Sequence, residues 1–310
     1  MSRPPGASVG GQAVIEGVMM RAPAGWAVAV RNPEGVIEAQ AHELPRLSAR
    51  SRWAKVPFVR GVLVLVESLT LGYRALTWSA QRAVGEDEEP LTGTQIAVSM
   101  GIALVFFVAL FMLLPLGAAR FAGFDADSVW FHVIEAVVRI FLFVAYIWVI
   151  GRSQEIRRVF QYHGAEHMTI HAYEAGDALT RPEISKYRPE HPRCGTSFLL
   201  IVMITAVIVF TLVGGLPWYL LVLSRIVLIP VIAGLSYELL KIGGANVDSL
   251  FGRVLTAPGL WLQRLTTGEP EEDMIDVAVT SLLFALTSDE VDEVKTRGPV
   301  EPGALTAFGG

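Results

Sequence analysis

The chain has 310 residues, 52% of them hydrophobic and 18% charged, with a mean hydropathy of +0.47 and a net charge of −5. Soluble domains average about 25% charged residues, so this apolar excess excludes a disordered chain, and the acidic balance excludes a basic nucleic-acid-binding domain. The single cysteine, Cys194, excludes an internal disulfide framework.

Taken in chain order, residues 1–8 read as a flexible N-terminus and 9–45 as a small β unit. Within that unit VGGQAVIEGVMM forms one strand, and 26–31 and 36–44 flank the turn Asn32-Pro33-Glu34-Gly35 as a hairpin. Residues 46–84 form an amphipathic segment with a helix over 54–83. Arg60 and Glu67 argue against a simple span there and for a helix at the interface or packed on a bundle. An acidic linker follows at 85–94.

The segment 95–240 reads as a membrane domain. Residues 95–119 contain no charge, enough to cross a hydrocarbon core of about 30 Å. Further spans are expected at 130–150, 197–214 and 218–240, the last two joined by a Gly-Gly-Leu-Pro turn. A polar segment, 152–196, separates the second span from the third. Residues 241–287 are expected to be helical, with a helix starting at Pro270 and its acidic neighbours and running to about Leu286. The tail, 288–310, reads as disordered. The fold class expected is therefore mainly α: a polytopic helical membrane bundle of about four spans, with a small cytoplasmic β unit and amphipathic cytoplasmic helices.

Orientation follows from Lys and Arg. Arg46, Arg50, Arg52, Lys55, Arg60, Arg74 and Arg82 precede the first span. Arg152, Arg157, Arg158, Arg181, Lys186, Arg188 and Arg193 fall between the second and third, and Lys241, Arg253 and Arg264 follow the last. Alternate sides are basic, which puts both termini and 152–196 in the cytoplasm and Cys194 in reducing surroundings. The N-terminus shows no basic region followed by an apolar run, so no cleavable signal peptide is expected.

The chemistry is concentrated in one segment. Four of the six histidines (His163, His167, His171 and His191) fall within 29 residues. Ser153 to Ala175 reads as a helix ended by Gly176 as a C′ residue. At about 100° per residue, His163, Glu166, His167, His171 and Glu174 share one arc of about 140°. His163-x-x-Glu166-His167 has the spacing of inverted zincins, in which two histidines one turn apart hold zinc and the glutamate activates water. His171 lies ~12 Å along the axis from His163, too far to share one ion with it. With Glu174 it would serve a second ion, support the first or contact substrate. A third ligand is expected from His191, Cys194 or Glu238.

Several long motifs carry a family likeness. GGQAVIEGVMMR at 10–21, RRVFQYHGAEH at 157–167, HPRCGTS at 191–197, PVIAGLSYE at 230–238 and PGLWLQRLTT at 258–267 closely resemble the YqhQ-like family over about residues 8–287. That family is described as bacterial integral membrane proteins that are metal-dependent enzymes of unassigned function. The resemblance implies a bacterial inner-membrane protein, draws attention to the same histidine helix and makes Glu16 a site candidate. It supplies no substrate.

The remaining polar candidates lie in the spans. Glu135 and Arg139 are spaced to pair with each other along a helix, and Arg225, deep in the last span, is expected to meet Glu135 across the bundle. Glu238 is near Lys241, so an ion pair competes with metal ligation. The function expected is a zinc-dependent hydrolase at the cytoplasmic membrane surface, with His163 and His167 as ligands, Glu166 as general base, and a lipid, lipid-linked or membrane-peptide substrate. Two alternatives are an ion, metal or proton transporter using the same cluster with Glu135, Arg139, Arg225 and Glu238, and a non-catalytic scaffold with a structural metal site.

Overall fold

Two short runs, GVMMR and GWAVAVR, are apolar at consecutive rather than alternate positions, the pattern of strands covered on both faces. The computed structural model, which describes residues 9–44, 56–83, 93–125, 128–192, 194–213, 216–246 and 249–301, places them at the centre of a four-stranded antiparallel sheet. Its strands, β1 (Gly10–Val14), β2 (Gly17–Arg21), β3 (Gly25–Arg31) and β4 (Ile37–Glu43), follow one another as a meander. The sheet contains one correction to the sequence expectation. The single strand expected through residues 9–20 breaks at Ile15-Glu16, where Val14 pairs with Gly17 and Glu16 takes a left-handed φ of 50°. A glutamate is uncommon there. Its carboxylate is held from outside the sheet by Arg158, with both bonds at 2.6 Å.

Side chains alternate across the sheet. Val18, Met20, Ala27 and Ala29 enter a core shared with α5 (Gln154–Ala175) and α11 (Glu272–Ala285), while Met19, Trp26, Val28 and Val30 pack on Leu71 and Ala75 of α1 (Val59–Arg82). The result is three layers: α1, the sheet, and α5 with α11. α11 is buried along nearly its whole length, which explains why its sequence carries no polar stripe. The tail expected to be disordered from residue 288 is instead helical over α12 (Ser288–Arg297), begun by a capping box between Thr287 and Glu290. Residues 302–310 lie outside the described residues, as do 1–8 and most of the acidic linker.

The other helices are long and apolar. They run from α2 (Gly93–Val108) through a π-helical turn (Ala109–Leu113) into α3 (Leu114–Phe121), then α4 (Val129–Ile150) and, after α5 and the short α6 (Arg181–Ile184), α7 (Gly195–Leu212). Three helical stretches, Ala97–Phe121, Val129–Ile150 and Gly195–Leu212, are long and apolar enough to cross a membrane. The fourth expected span is bent: α8 (Trp218–Val227) and α9 (Ile229–Ala245) meet at 45°. Pro230 explains the break, because it removes a helical N–H and crowds the preceding turn. Helix α10 (Leu250–Thr266) then returns to the sheet domain. The protein is thus a multi-pass membrane protein with a three-layer domain attached to it.

α1 joins the two parts. At its start the Arg60 guanidinium grips Glu238 of α9 through both carboxylate oxygens, and Gly61 lies against Tyr237. Further along, Glu67 accepts from Arg21 of β2 at 2.6 Å, and Gly72 leaves room for Gln12.

Within the apolar helices a second polar group is fully enclosed. Glu135 accepts two bonds from Arg225, at 3.1 and 2.7 Å, and another from Arg139. Arg139 also donates to the Phe111 carbonyl in the π turn at 2.9 Å, and the Arg225 guanidinium lies 3.8 Å from the centre of the Phe210 ring. Removing one member of a buried charge set leaves the others uncompensated. Glu135→Ala is therefore expected to destabilise the protein by about 3–5 kcal/mol, read as a lowered melting temperature in detergent. Glu135→Gln, which keeps an acceptor oxygen, should cost less.

Candidate metal centre

Ser153 and Gly176 bound the histidine helix as its sequence predicts: Ser153 takes the extended N-cap conformation, and Gly176 the left-handed C′ position with φ 82°. What the sequence does not reveal is how the helix is held. Three groups on one stripe of α5 face β1 and the turn after it: Arg158 and Tyr162 meet Glu16, and Glu166 lies against the Gly11 backbone. On another face Gly164 lies so close to Gly268 that an added Cβ would sit 2.0 Å from the Gly268 carbonyl oxygen. The cost of a mid-helix glycine, roughly 1 kcal/mol, is thus tied to the close docking of the 267–270 segment.

The histidine stripe faces the chain that leads into α7. His163 Nδ1 lies 2.8 Å from the Thr266 carbonyl, and His167 Nδ1 contacts the Pro189 carbonyl. A carbonyl only accepts, so both Nδ1 atoms carry the proton, and both Nε2 atoms are left with a lone pair. Those lone pairs converge on Cys194, which caps the start of α7. His163 Nε2 is 3.3 Å from its Sγ, and the ligand atoms of His163, His167 and Cys194 all lie within 4.8 Å of one another. Around a tetrahedral zinc, bond lengths near 2.05 Å to nitrogen and 2.3 Å to sulfur put such atoms about 3.6 Å apart, so the donor set fits a metal of that kind.

Glu166 completes the group. Its Oε2 is 4.0 Å from His163 Nε2, and this oxygen is buried without a hydrogen-bond partner. Burial pushes the carboxyl up to about 7, against the opposing pull of His163, His191 and the Gly11 N–H. Burial also lowers the His167 and His191 imidazoles, favouring their neutral, ligand-competent forms.

The other sequence candidates fall at graded distances. His191 lies next to the group, its ring centre 5.7 Å from that of His167 and its Nε2 3.7 Å from Glu174. His171 stacks on Tyr187, and its Nε2 donates to the Glu190 carbonyl at 3.0 Å. Of the three expected third ligands, Cys194 joins the two histidines. Glu238, by contrast, is committed to Arg60. Glu16 is likewise bound to Arg158 and serves the turn, and Glu135 is bound by Arg139 and Arg225 within the apolar helices, apart from His163, His167 and Cys194. One residue was missed: Gln263, wholly buried, accepts from the His191 N–H at 2.7 Å and donates to the His191 carbonyl and to Ser197 Oγ, both at 3.0 Å. It fixes the loop that carries His191 and Cys194. The only sequence signal was an uncharged amide inside an otherwise apolar helical face.

A multi-pass membrane protein with a His/His/Cys group between its sheet domain and one apolar helix is the class that fold and site define. The chain belongs to the family described as "Protein of unknown function (DUF1385)", which matches residues 56–288. It is also 32% identical over 301 residues to the "Uncharacterized protein YqhQ" of Bacillus subtilis (strain 168), covering 92% of this chain and 94% of that protein. No solved structure matches it.

Two outcomes follow. Gln263→Ala strands the His191 N–H and the Ser197 hydroxyl, while the His191 carbonyl keeps the Cys194 N–H, and is expected to cost about 1–3 kcal/mol for each group left unsatisfied, measured as a loss of thermal stability. For metal-free protein, the raised Glu166 carboxyl binds a proton more tightly folded than unfolded. Its contribution to stability is therefore complete below about pH 4.5 and lost as pH rises through about 7. Relative to Glu166→Gln, metal-free wild type should lose about 3 kcal/mol between pH 4.5 and 8, as read from paired melting curves.

Proposed function

We propose that the protein is a membrane-embedded, metal-dependent hydrolase that uses zinc, with its site at the cytoplasmic membrane surface. One observation carries the proposal: two histidines with Nδ1 tied to carbonyls present Nε2 to a cysteine, beside a buried glutamate oxygen that lacks a partner. Three protein ligands with a further position open is the arrangement of catalytic rather than structural zinc.

His163, His167 and Cys194 would hold the ion, which when bound supplies Lewis acidity toward a carbonyl or phosphoryl oxygen. Glu166 would hold and pass the proton at Oε2. Its raised affinity suits a general base working near neutral pH. His191 with Glu174 continues the polar track from Glu166 toward the partly exposed end of the helix. Two features support a membrane-facing substrate, whether lipid, lipid-linked or peptide. The domain is attached between the end of α4 and the start of α7, and Cys194 is the N-cap of an apolar helix. The Lys and Arg bias of the flanking segments supports the cytoplasmic side. A transport path would need the intramembrane charges free to exchange partners, whereas Glu135, Arg139 and Arg225 are bound to one another.

Metal analysis of the purified full-length protein provides the test. Wild type should hold about one zinc per chain, in keeping with a three-ligand site, and the His163→Ala/His167→Ala double variant none. Glu166→Gln should keep the metal and lower hydrolysis of a panel of ester and phosphodiester lipids by about 10²–10⁴-fold. Negligible metal in both proteins would sink the proposal. Full metal with no effect of Glu166→Gln would make the site structural.

A further inference from the structure

Beside the candidate metal centre, a narrow cavity of about 160 Å³ runs between α7, α9 and α10. Leu200, Ile204 and Ile208 form one wall, and Leu239, Phe251 and Gly259 stand on the others. One end touches the site's scaffold. Gly259 has no side chain, and an added Cβ would sit 2.2 Å from Ser197 Oγ, the same hydroxyl that accepts from Gln263. Leu200 follows Cys194 by six residues of α7, ~9 Å along the axis. α7 and α10 run antiparallel along the cavity: Gly259 meets Ser197 at the start of α7, and Phe251 lines the cavity with Ile204 and Ile208 farther along it. Phe251 and Val254, which line the cavity, are largely exposed, so the bilayer would reach its open side.

We propose that this cavity seats a segment of one acyl chain of the substrate, and that the substrate is therefore a lipid whose polar head reaches the His163–His167–Cys194 group. The inference rests on the hydrolase proposal for the identity of the reacting end, while the cavity stands on its own geometry. Size selects among the membrane substrates. An apolar cavity of about 150 Å³ accepts a benzene-sized group, so this one takes about six carbons of a slender chain. A membrane peptide would enter as a helix ~10–12 Å across, which such a cleft does not admit. The chemistry agrees, because the lining is almost entirely hydrocarbon and would exclude a peptide's polar backbone.

The test uses the full-length protein in lipid nanodiscs containing phosphatidylglycerol with a diazirine in mid-chain, followed by mass spectrometry of the cross-linked peptides. Adducts on residues 200–208 and 251–259 should exceed those on the lipid-facing Leu104, Val105 and Phe107 of α2 by at least fivefold and should be competed by excess unlabelled lipid. Ile204→Trp, which fills the cavity from a partly exposed wall position, should lower them at least fivefold and leave α2 labelling unchanged. Should that variant fail to fold, the competition in wild type decides. Labelling equal to α2, labelling insensitive to Ile204→Trp or labelling without competition would overturn the proposal, as would preferential labelling of the cavity by a diazirine-bearing transmembrane peptide. Metal content measured on the same samples separates the two ideas. Saturable labelling without zinc removes the hydrolase and keeps the acyl cavity, and zinc without saturable labelling does the reverse.

Discussion

Burying the polar side of α5 is the demand that the surrounding elements answer. The helix is not apolar enough to bury itself, yet Tyr162, Glu166 and His167 are all almost completely covered. Each buried polar atom needs a partner or costs free energy of the order of a lost hydrogen bond. The partners come from irregular backbone and from a strand end rather than from other helices. Thr266 closes α10 with a carbonyl toward His163, and Pro189 and Glu190 present carbonyls to His167 and His171. Gly11 turns an N–H toward Glu166. The left-handed Glu16 turn belongs to the same answer, since it delivers a carboxylate to Arg158 and Tyr162, two turns and one turn before Glu166 on α5. The sheet, the 189–194 loop and the end of α10 are thus arranged around one helix.

That arrangement ties the membrane helices to the sheet domain at two separate places. One is α1, fastened to α9 through Arg60–Glu238 and to β2 through Arg21–Glu67. The other is the ligand group itself, with two members on α5 and the third at the first turn of α7. Anything bound by all three would pin a domain helix to a membrane helix, and its binding free energy would add to the stability of their docking. Gln263 makes the same connection without any ligand, because it bonds the His191 backbone on one side and Ser197 of α7 on the other.

What was legible in the sequence is what local rules write there. The histidine helix carried both its boundary signals, Ser153 and Gly176, and its spacing placed His163, Glu166 and His167 together. Length and charge exposed the apolar helices, and the turn Asn32-Pro33-Glu34-Gly35 marked the hairpin of β3 and β4. The remainder depends on partners distant in the chain. Glu238 could have been a ligand until Arg60, 178 residues earlier, was placed against it. Gln263 meets residues 66 and 72 positions away. The Glu16 turn escaped notice because neither Ile15 nor Glu16 is a turn-forming residue, and the stabilising cation comes from another element. The helix at 288–297 is a different kind of omission. Its capping pair, Thr287 and Glu290, stood in the sequence, but the Gly, Pro and charge content of the whole tail outweighed it.

Two buried polar groups therefore coexist in one chain, and satisfaction tells them apart. In the membrane helices the Glu135 oxygens are shared between two arginines, and Arg139 reaches a backbone carbonyl freed by the π turn. His132 stands beside them, its Nδ1 3.8 Å from Glu135, and the charges of the set are held by one another, as buried charges are when they serve packing. At the domain boundary the accounts do not close. Two imidazole lone pairs face a thiol, and Glu166 carries an unpartnered oxygen with no lysine or arginine paired to it among the described residues. Buried groups left in that state call for a further ligand, and the atoms involved are metal-binding and proton-accepting ones. At the junction of α5 with α7, where polar ligands and hydrocarbon walls lie a few residues apart, these are the atoms that the proposed metal chemistry would use.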